Sequence, residues 1–424
     1  MKKYICSLLC YFSFLGLNAQ ALEKVSPESV GLDSKQFKYA DEAINTSIKK
    51  GDIPGAVLAV VRHGKLAYLK AYGNKEVYPK KVAMTTNTIF DLASCSKPTS
   101  TAICVMKLIE QGKIRLIDPV NLYIPEFQNW KDSKLEETAI RIEDLLTHTS
   151  GLPPYANADE LITKYGAANP NILMKYISTC KRDFAPKTNF QYSCLNFITL
   201  QHIIETVCGE SLRTFSQKYI FEVLGMQYTD YIPTDLDKNG NWINTSPAKW
   251  ELKNNQNSII APTEVQKNGQ ILQGQVHDPL ARIMNKGISG NAGLFSCAED
   301  LAILCATLQN KGEWGGHRIL SPQTVKAMIT VPTNVKKLGR TLGWDSYSDY
   351  ASCKGDLLGK HTYCHTGYTG TSIVIDPDND ISIILLTNRV HPKDEHNVSR
   401  LRSYIANIIA ASIKKQIEKL NKIK

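Results

Sequence analysis

Apolar and polar positions fall into two regimes along the chain. From Gly55 to Val61 and again from Leu66 to Tyr72 the residues are almost continuously apolar, divided by the turn Arg62-His63-Gly64-Lys65. Runs of this kind predict two hairpin strands in a sheet covered on both faces. A polar lead-in at Ser26–Asp33 precedes a helix that should end near Lys50, with Gly51 as its stop. Near the other end, Ser372–Asp376 and Ile381–Thr387 flank the turn Pro377-Asp378-Asn379-Asp380 and predict a second hairpin, followed by a long helix from about Asn397. Between roughly Ser94 and Phe295 the pattern is helical with long loops. There Ile142 to Pro153 predicts a short helix stopped at Gly151-Leu152-Pro153, and residues 229–285, rich in Asn, Asp, Pro and Lys, read as a loop of the length that lines binding sites. Strands at both ends with helices between them predict one sheet built from both parts of the chain, a helical insertion, and a site between the two. The expected division is an α/β part at about 30–92 and 295–424 and a helical part at about 93–294.

Composition changes this picture little. With 43 % apolar and 21 % charged residues the chain is ordinary globular protein, without repeats or low-complexity tracts. The formal charge of +10 includes Lys2 and Lys3, and much of the remainder sits at Lys414, Lys415, Lys419, Lys422 and Lys424, which read as a solvated helix face. No nucleic-acid-binding module is visible. Residues 1–21 carry Lys2 and Lys3, an apolar run from Tyr4 to Leu17, and Ala19-Gln20-Ala21. That is the pattern of a signal peptide cleaved after Ala19 or Ala21, too short to span a bilayer; the mature chain, 22–424, should be exported, periplasmic or secreted, with no transmembrane segment. Nine cysteines remain beyond it, an odd number without C-x-x-C or His/Cys metal spacing. They are expected to be small buried fillers with at most a disulfide or two, and no metal is expected, at His277-Asp278 or elsewhere.

The chemistry is expected at Phe90-Asp91-Leu92-Ala93-Ser94-Cys95-Ser96-Lys97-Pro98. Proline is tolerated only in a helix's first turn, so a helix should begin at about Ser94 to Ser96 and run to Gly112. Ser94 then stands at a helix N-terminus with Lys97 one turn along on the same face, a hydroxyl and an amine side by side. Four residues alone more readily describe a capping serine and a solvated lysine than an activated nucleophile. Two further stretches decide between them: Phe190-Gln191-Tyr192-Ser193-Cys194-Leu195-Asn196, opening a helix to Gly209, and His365-Thr366-Gly367-Tyr368, leading into the strand at 372–376.

With S-x-x-K, Y-S-x and H-T-G in this order, the sequence resembles the penicillin-recognising serine hydrolases. More narrowly it is similar to the class C β-lactamase-like group of low-molecular-mass penicillin-binding proteins, D-Ala-D-Ala carboxypeptidases and esterases. Supporting blocks include Leu145–Leu152, Val223–Met226, Gly293–Ser296 and Leu386–Arg389. The resemblance implies an α+β fold of the β-lactamase/transpeptidase type, a central antiparallel sheet flanked by helices plus a mainly helical subdomain, and no cofactor. It implies Ser94 as acylated nucleophile, Lys97 and Tyr192 as its proton-handling partners, and the N–H groups of Ser94 and Tyr368 as the oxyanion hole. His365, Thr366, Gly367, Cys194 and Asn196 would bind substrate. A phenol or amine serves as base near neutral pH only if its surroundings lower its pKa. His365 stands where β-lactamases carry lysine, so a fractionally charged imidazole should recognise a carboxylate weakly and with pH dependence, as in esterase- and peptidase-like branches. Cys194 stands where an amide-binding Asn or Asp is usual, and Asn196, one helical step on, is the expected substitute. His148 is expected to hydrogen-bond a loop, and Asn291 to shape one near the site. The implied function is a serine acyl-hydrolase on D-alanyl peptides derived from peptidoglycan. The alternatives are a carboxylesterase or weak β-lactamase on the same machinery, or a non-catalytic binding protein.

Overall fold

The computed structural model describes residues 21–251 and 259–414. The leader expected at residues 1–21 lies, Ala21 apart, outside them, as do the basic residues beyond Lys414. Helix α1 (Phe37–Lys50) ends at Gly51, whose φ of 81° is the left-handed conformation that glycine adopts without cost. The first hairpin is β1 (Gly55–Arg62) and β2 (Lys65–Glu76), with the short β3 (Val82–Ala83) paired to it. The next three strands of the same sheet lie some 300 residues on: β4 (Tyr363–Thr366), β5 (Ser372–Asp376) and β6 (Ile381–Thr387). The order is β4-β5-β6-β1-β2-β3, antiparallel throughout, and β6 pairs with β1 from Ala56↔Thr387 to Arg62↔Ile381.

Alternation along the strands explains why these runs are apolar on both faces. Val57, Ala59, Val61, Ile384 and Leu386 pack toward the helical part, while Ala56, Leu58, Val60, Ile383 and Leu385 pack toward α1 and the last helix. The first face is covered by a helix at Ala298–Gln309 and the second by α1 with a helix at Ser399–Ala411. The inserted stretch contributes a helix at Ala102–Glu110 and a long one at Cys194–Cys208.

Two local expectations change. The helix from Ile142 ends at Leu146, five residues before Gly151. His148 takes the left-handed conformation (φ 58°), and the His148 and Thr149 N–H groups close onto the Leu145 and Asp144 carbonyls, a Schellman stop with histidine in the usual place of glycine. Residues 229–285 are not a plain loop. They hold short strands at Asp230–Tyr231, Thr234–Leu236 and Trp242–Asn244, and build a small core around Trp250, Ile260 and Val276. All nine cysteines among the described residues are free thiols, most of them buried.

Candidate active site

The turn before Ser94 is pinned from several sides. The buried Asp91 carboxylate accepts from the N–H of Ala93 (2.9 Å) and of His277 (2.7 Å), while Thr369 and Thr371 donate to the carbonyls of Asp91 and Leu92. Held in this way, Ala93 adopts φ 46°, a left-handed conformation costing a non-glycine residue about 1 kcal/mol or more. The chain then starts a helix in three steps: a 3₁₀ turn at Ala93–Cys95, a π-turn at Lys97–Thr101, and α-helix from Ala102. The expected helix start is therefore right in place and wrong in type, since Pro98 offers no N–H to an ordinary first turn.

Lys97 is fully buried. Its Nζ donates to Ser94 Oγ (3.0 Å) and to the Asn291 carbonyl (2.8 Å), lies 3.7 Å from Cys194 Sγ, and sits 4.9 Å from the centre of the Tyr192 ring. Asn291 thus reaches Lys97 through its backbone, while its side-chain amide lies beside Asp278 Oδ1 (3.3 Å) and Cys194. Tyr192 is clamped between His148 (ring centres 4.4 Å apart) and Tyr350 (5.5 Å, stacked). Its hydroxyl is buried and lies against Lys97 and Ser94 without closing a well-aligned hydrogen bond to either. His148 Nδ1 accepts from the Ser193 N–H (3.1 Å) and faces the Asn196 amide nitrogen (3.2 Å), which assigns the proton of the neutral ring to Nε2. Burial, with Arg340 next in weight, drives its pKa well below the ordinary value.

Electrostatics here depart from the sequence expectation. Burial raises the Tyr192 phenol above its ordinary pKa, and the nearby Lys97 ammonium only partly offsets it. Burial works against the Lys97 ammonium, but Cys194 and Tyr192 favour it, and its pKa lies above the ordinary value. Neither group is lowered toward neutrality as expected. At pH 7 the pair rests as ammonium and phenol, and its catalytic form is the one with a single proton removed. Acylation should therefore rise about tenfold per pH unit above neutral, up to an apparent pKa that belongs to the pair. A flat profile from pH 7 to 9, measured with a chromogenic ester, would contradict this.

His365 is also corrected. Its Nδ1 bonds the Thr366 carbonyl (2.9 Å), its Nε2 is buried without a partner, and burial together with the Arg340 and Lys97 cations pushes its pKa well below the ordinary value. The ring is neutral near pH 7, so no carboxylate recognition through it should titrate between pH 6 and 7. Positive charge at the cavity comes instead from Arg340, Arg389 and Arg402, which with Ser94, Tyr192 and His365 line a space of about 310 Å³. Arg340 is buried and paired with Asp345 (2.8 Å), and Arg402 donates to the Gly367 and Thr371 carbonyls (2.7 and 3.0 Å).

His365 and Thr366 do not merely lead into a strand. They end β4, the edge of the sheet, where Cys364 exchanges two backbone hydrogen bonds with Asp345. By the alternation of the ladder, the Thr366 N–H and C=O point to that same edge, beyond the part Asp345 occupies. Gly367 is confined: a Cβ there would lie 2.1 Å from Thr371 Oγ1 and 2.4 Å from the Leu92 carbonyl. This close approach seats the turn carrying Tyr368 against the turn carrying Ser94. Among the described residues neither the Ser94 nor the Tyr368 N–H has an intramolecular partner.

Cys194 and Asn196 separate. Cys194 lies against Lys97, whereas Asn196 is fully buried and spends its amide on Ser150 Oγ (2.6 Å) and His148. Residues two apart on a helix point to nearly opposite sides, so Asn196 does not replace the missing amide group. Among the described residues no cluster of His, Cys, Asp and Glu could hold a metal ion. His277 instead faces Glu264 (3.1 Å) and stacks on Tyr368.

Comparison with known proteins adds to this geometry. The model of the Beta-lactamase family matches residues 40–406. The chain belongs to the Beta-lactamase family. Within it, the chain is similar to the N-acetylmuramyl-L-alanine amidase of Bacillus subtilis strain 168, 30 % identical over 390 residues, spanning 88 % of this chain and 87 % of the relative. A protein of Escherichia coli K12 named "Putative D-alanyl-D-alanine carboxypeptidase" is also 30 % identical, over 401 residues, spanning 92 % and 90 %. Among solved structures, EstCE1, a hydrolase with promiscuous acyltransferase activity, matches with TM-score 0.67 and 23 % identity over 89 % of this chain and 99 % of that one. A class C β-lactamase from Rhodobacter sphaeroides matches with TM-score 0.61 and 20 % identity, over 87 % and 98 %. These two likenesses show a shared α+β fold of the β-lactamase type. The chain is a serine hydrolase of the Beta-lactamase family.

Proposed function

We propose that this chain hydrolyses an amide bond of a cell-wall peptide, with D-alanyl peptides as the leading substrate, through an acyl-enzyme on Ser94. The observation that carries this is the contact of Lys97 Nζ with Ser94 Oγ at 3.0 Å, beside a buried Tyr192 hydroxyl with no other partner. Ser94 Oγ attacks the carbonyl carbon and gives its proton to the singly deprotonated Lys97–Tyr192 pair. The Ser94 and Tyr368 N–H groups hold the oxyanion, each worth about 3 kcal/mol in such sites. Tyr192 passes the proton to the leaving amine, and in the second half it takes one from water, which releases the acyl group. The Thr366 N–H at this edge, with the carbonyl lone pair that His365 leaves free, would hold the peptide as an added strand. Both curated relatives carry names that refer to amide bonds in cell-wall material, one muramyl-L-alanyl and one D-alanyl, and this supports the substrate class. Export, inferred from residues 1–21, belongs to the same proposal.

A second reading, carboxylesterase, is favoured by the neutral His365, which places no titrating charge beside Ser94. One experiment tests both. Intact-mass measurement after exposure to a fluorescent penicillin, a fluorophosphonate and a panel of muropeptides should show one acyl adduct on Ser94, absent from Ser94→Ala, with release of D-alanine from the peptides. Turnover of p-nitrophenyl esters without any muropeptide would move the assignment to esterase. No adduct on folded protein would sink acyl-enzyme chemistry altogether.

A further inference from the structure

A second cavity, of about 770 Å³ against about 310 Å³ at Ser94, lies at the other end of β4. Its apolar walls include Leu308, Val325, Ile329 and Tyr363, contributed by the covering helix Ala298–Gln309, the helix Pro322–Ile329 and the first residue of β4. Lys311, Lys326, Lys336 and Lys360 stand around it, all exposed, and among the described residues none of the four has an ion pair. Asp378, the acid in the wall, is engaged by His361 at 2.7 Å. The groove thus gathers four ammonium groups over an apolar floor, and of these only Lys360 feels an acid of the wall, Asp378. A ligand with carboxylates on an aliphatic frame relieves both the repulsion and the exposed surface.

No segment of the chain outside the described residues fits that description. Residues 252–258 carry one lysine and no acid, residues 415–424 carry four lysines and one glutamate, and residues 1–20 carry no acid. The groove and the catalytic cavity are built on the same segments. Tyr363 lines one, while His365 and Thr366 on the same strand line the other, and the consecutive Asp345 and Ser346 divide between the two in the same way. Along β4 the offset from Tyr363 to Thr366 is roughly 10 Å, the span of three extended residues.

We propose that this groove binds the carboxylate-bearing distal part of the cell-wall strand whose amide bond is opened at Ser94, so that polymeric substrate is held along β4 while short substrates do not reach it. The proposal rests on the function proposed above. Its test separates the two. Ser94→Ala protein is sedimented with insoluble cell-wall sacculi, alone and with K311Q/K326Q/K336Q/K360Q added, and compared with a control, K49Q/K50Q/K80Q/K81Q, that removes equal charge from exposed lysines elsewhere. Four exposed charges lost should weaken retention roughly tenfold. Amidation of the sacculus carboxylates should weaken retention of the parent similarly, and the control should bind as the parent does. In the active background the groove variant should turn over a short p-nitrophenyl ester within twofold of wild type, with an unchanged melting curve. Retention unchanged by the groove substitutions, or lowered equally by the control, would overturn the groove. Intact, groove-dependent retention with no Ser94 adduct in wild type would overturn the reaction instead.

Discussion

Replacing Tyr192 by phenylalanine is expected to slow acyl-enzyme formation by about 10²- to 10⁴-fold while changing the melting temperature by no more than a few degrees. The separation follows from where the hydroxyl sits. It closes no well-aligned hydrogen bond in the resting protein, and Lys97 keeps Ser94 Oγ and the Asn291 carbonyl as partners once it is removed. The ring that remains keeps its packing between His148 and Tyr350. What is lost is the hydroxyl placed beside both Ser94 and Lys97, which can relay a proton to a departing amine. Rapid-mixing measurement of acylation by a reporter substrate checks this, and acylation within threefold of wild type would remove Tyr192 from the mechanism. Normal acylation with a persistent acyl-enzyme would confine its role to the water step.

Lys97→Met is expected to reduce turnover by on the order of 10³-fold or more and to lower the melting temperature by a few degrees. Lys97 is completely buried, and no carboxylate lies within ion-pair distance of it among the described residues. The site nevertheless favours the ammonium, whose pKa lies above the ordinary value, so the charged form contributes stability that is present at pH 7 and lost only as the pH rises through the folded pKa. Methionine nearly conserves the volume but leaves the Asn291 carbonyl without its donor, at about 1–3 kcal/mol. Scanning calorimetry with a p-nitrophenyl ester assay would decide it; a higher melting temperature would show that the buried ammonium costs the fold more than its hydrogen bonds contribute.

Much of this was legible before any coordinates. The apolar runs at Gly55–Val61 and Ile381–Thr387 could only be strands covered on both faces, and Pro98 fixed where the Ser94 helix starts. The motifs are legible in the sequence where a residue type meets a fixed geometric demand, as Gly367 does against Thr371 and Leu92. What escaped lacks such a local signature. Tyr363–Thr366 is too short a strand for period-two alternation to register. Asn196 was misplaced because spacing of two along a helix looks like proximity and is close to opposition. Arg340 and Tyr350 reach the cavity from segments with no periodic or motif character, Arg402 reaches it from the last helix, and only the fold makes them neighbours. The charge of His365 was likewise out of reach, since it depends on burial and on Arg340 and Lys97 rather than on its own chain neighbours. His148 was read as a loop-bonding residue and is one, but its packing against Tyr192 rests on a left-handed histidine that no sequence rule would choose.

The strand order has a consequence for the life history of the molecule. Strand β1 lies between β2, its neighbour in the chain, and β6, more than 300 residues away. A nascent polypeptide that has emerged only as far as the S-x-x-K turn holds one hairpin whose open edge cannot be covered until β6 is made, and the partner turn for Ser94 at Gly367 is also still missing. Contacts of such long range form late and slowly. The reactive serine thus cannot acquire its surroundings during most of synthesis, and the chain stays threadable until nearly its whole length has been made.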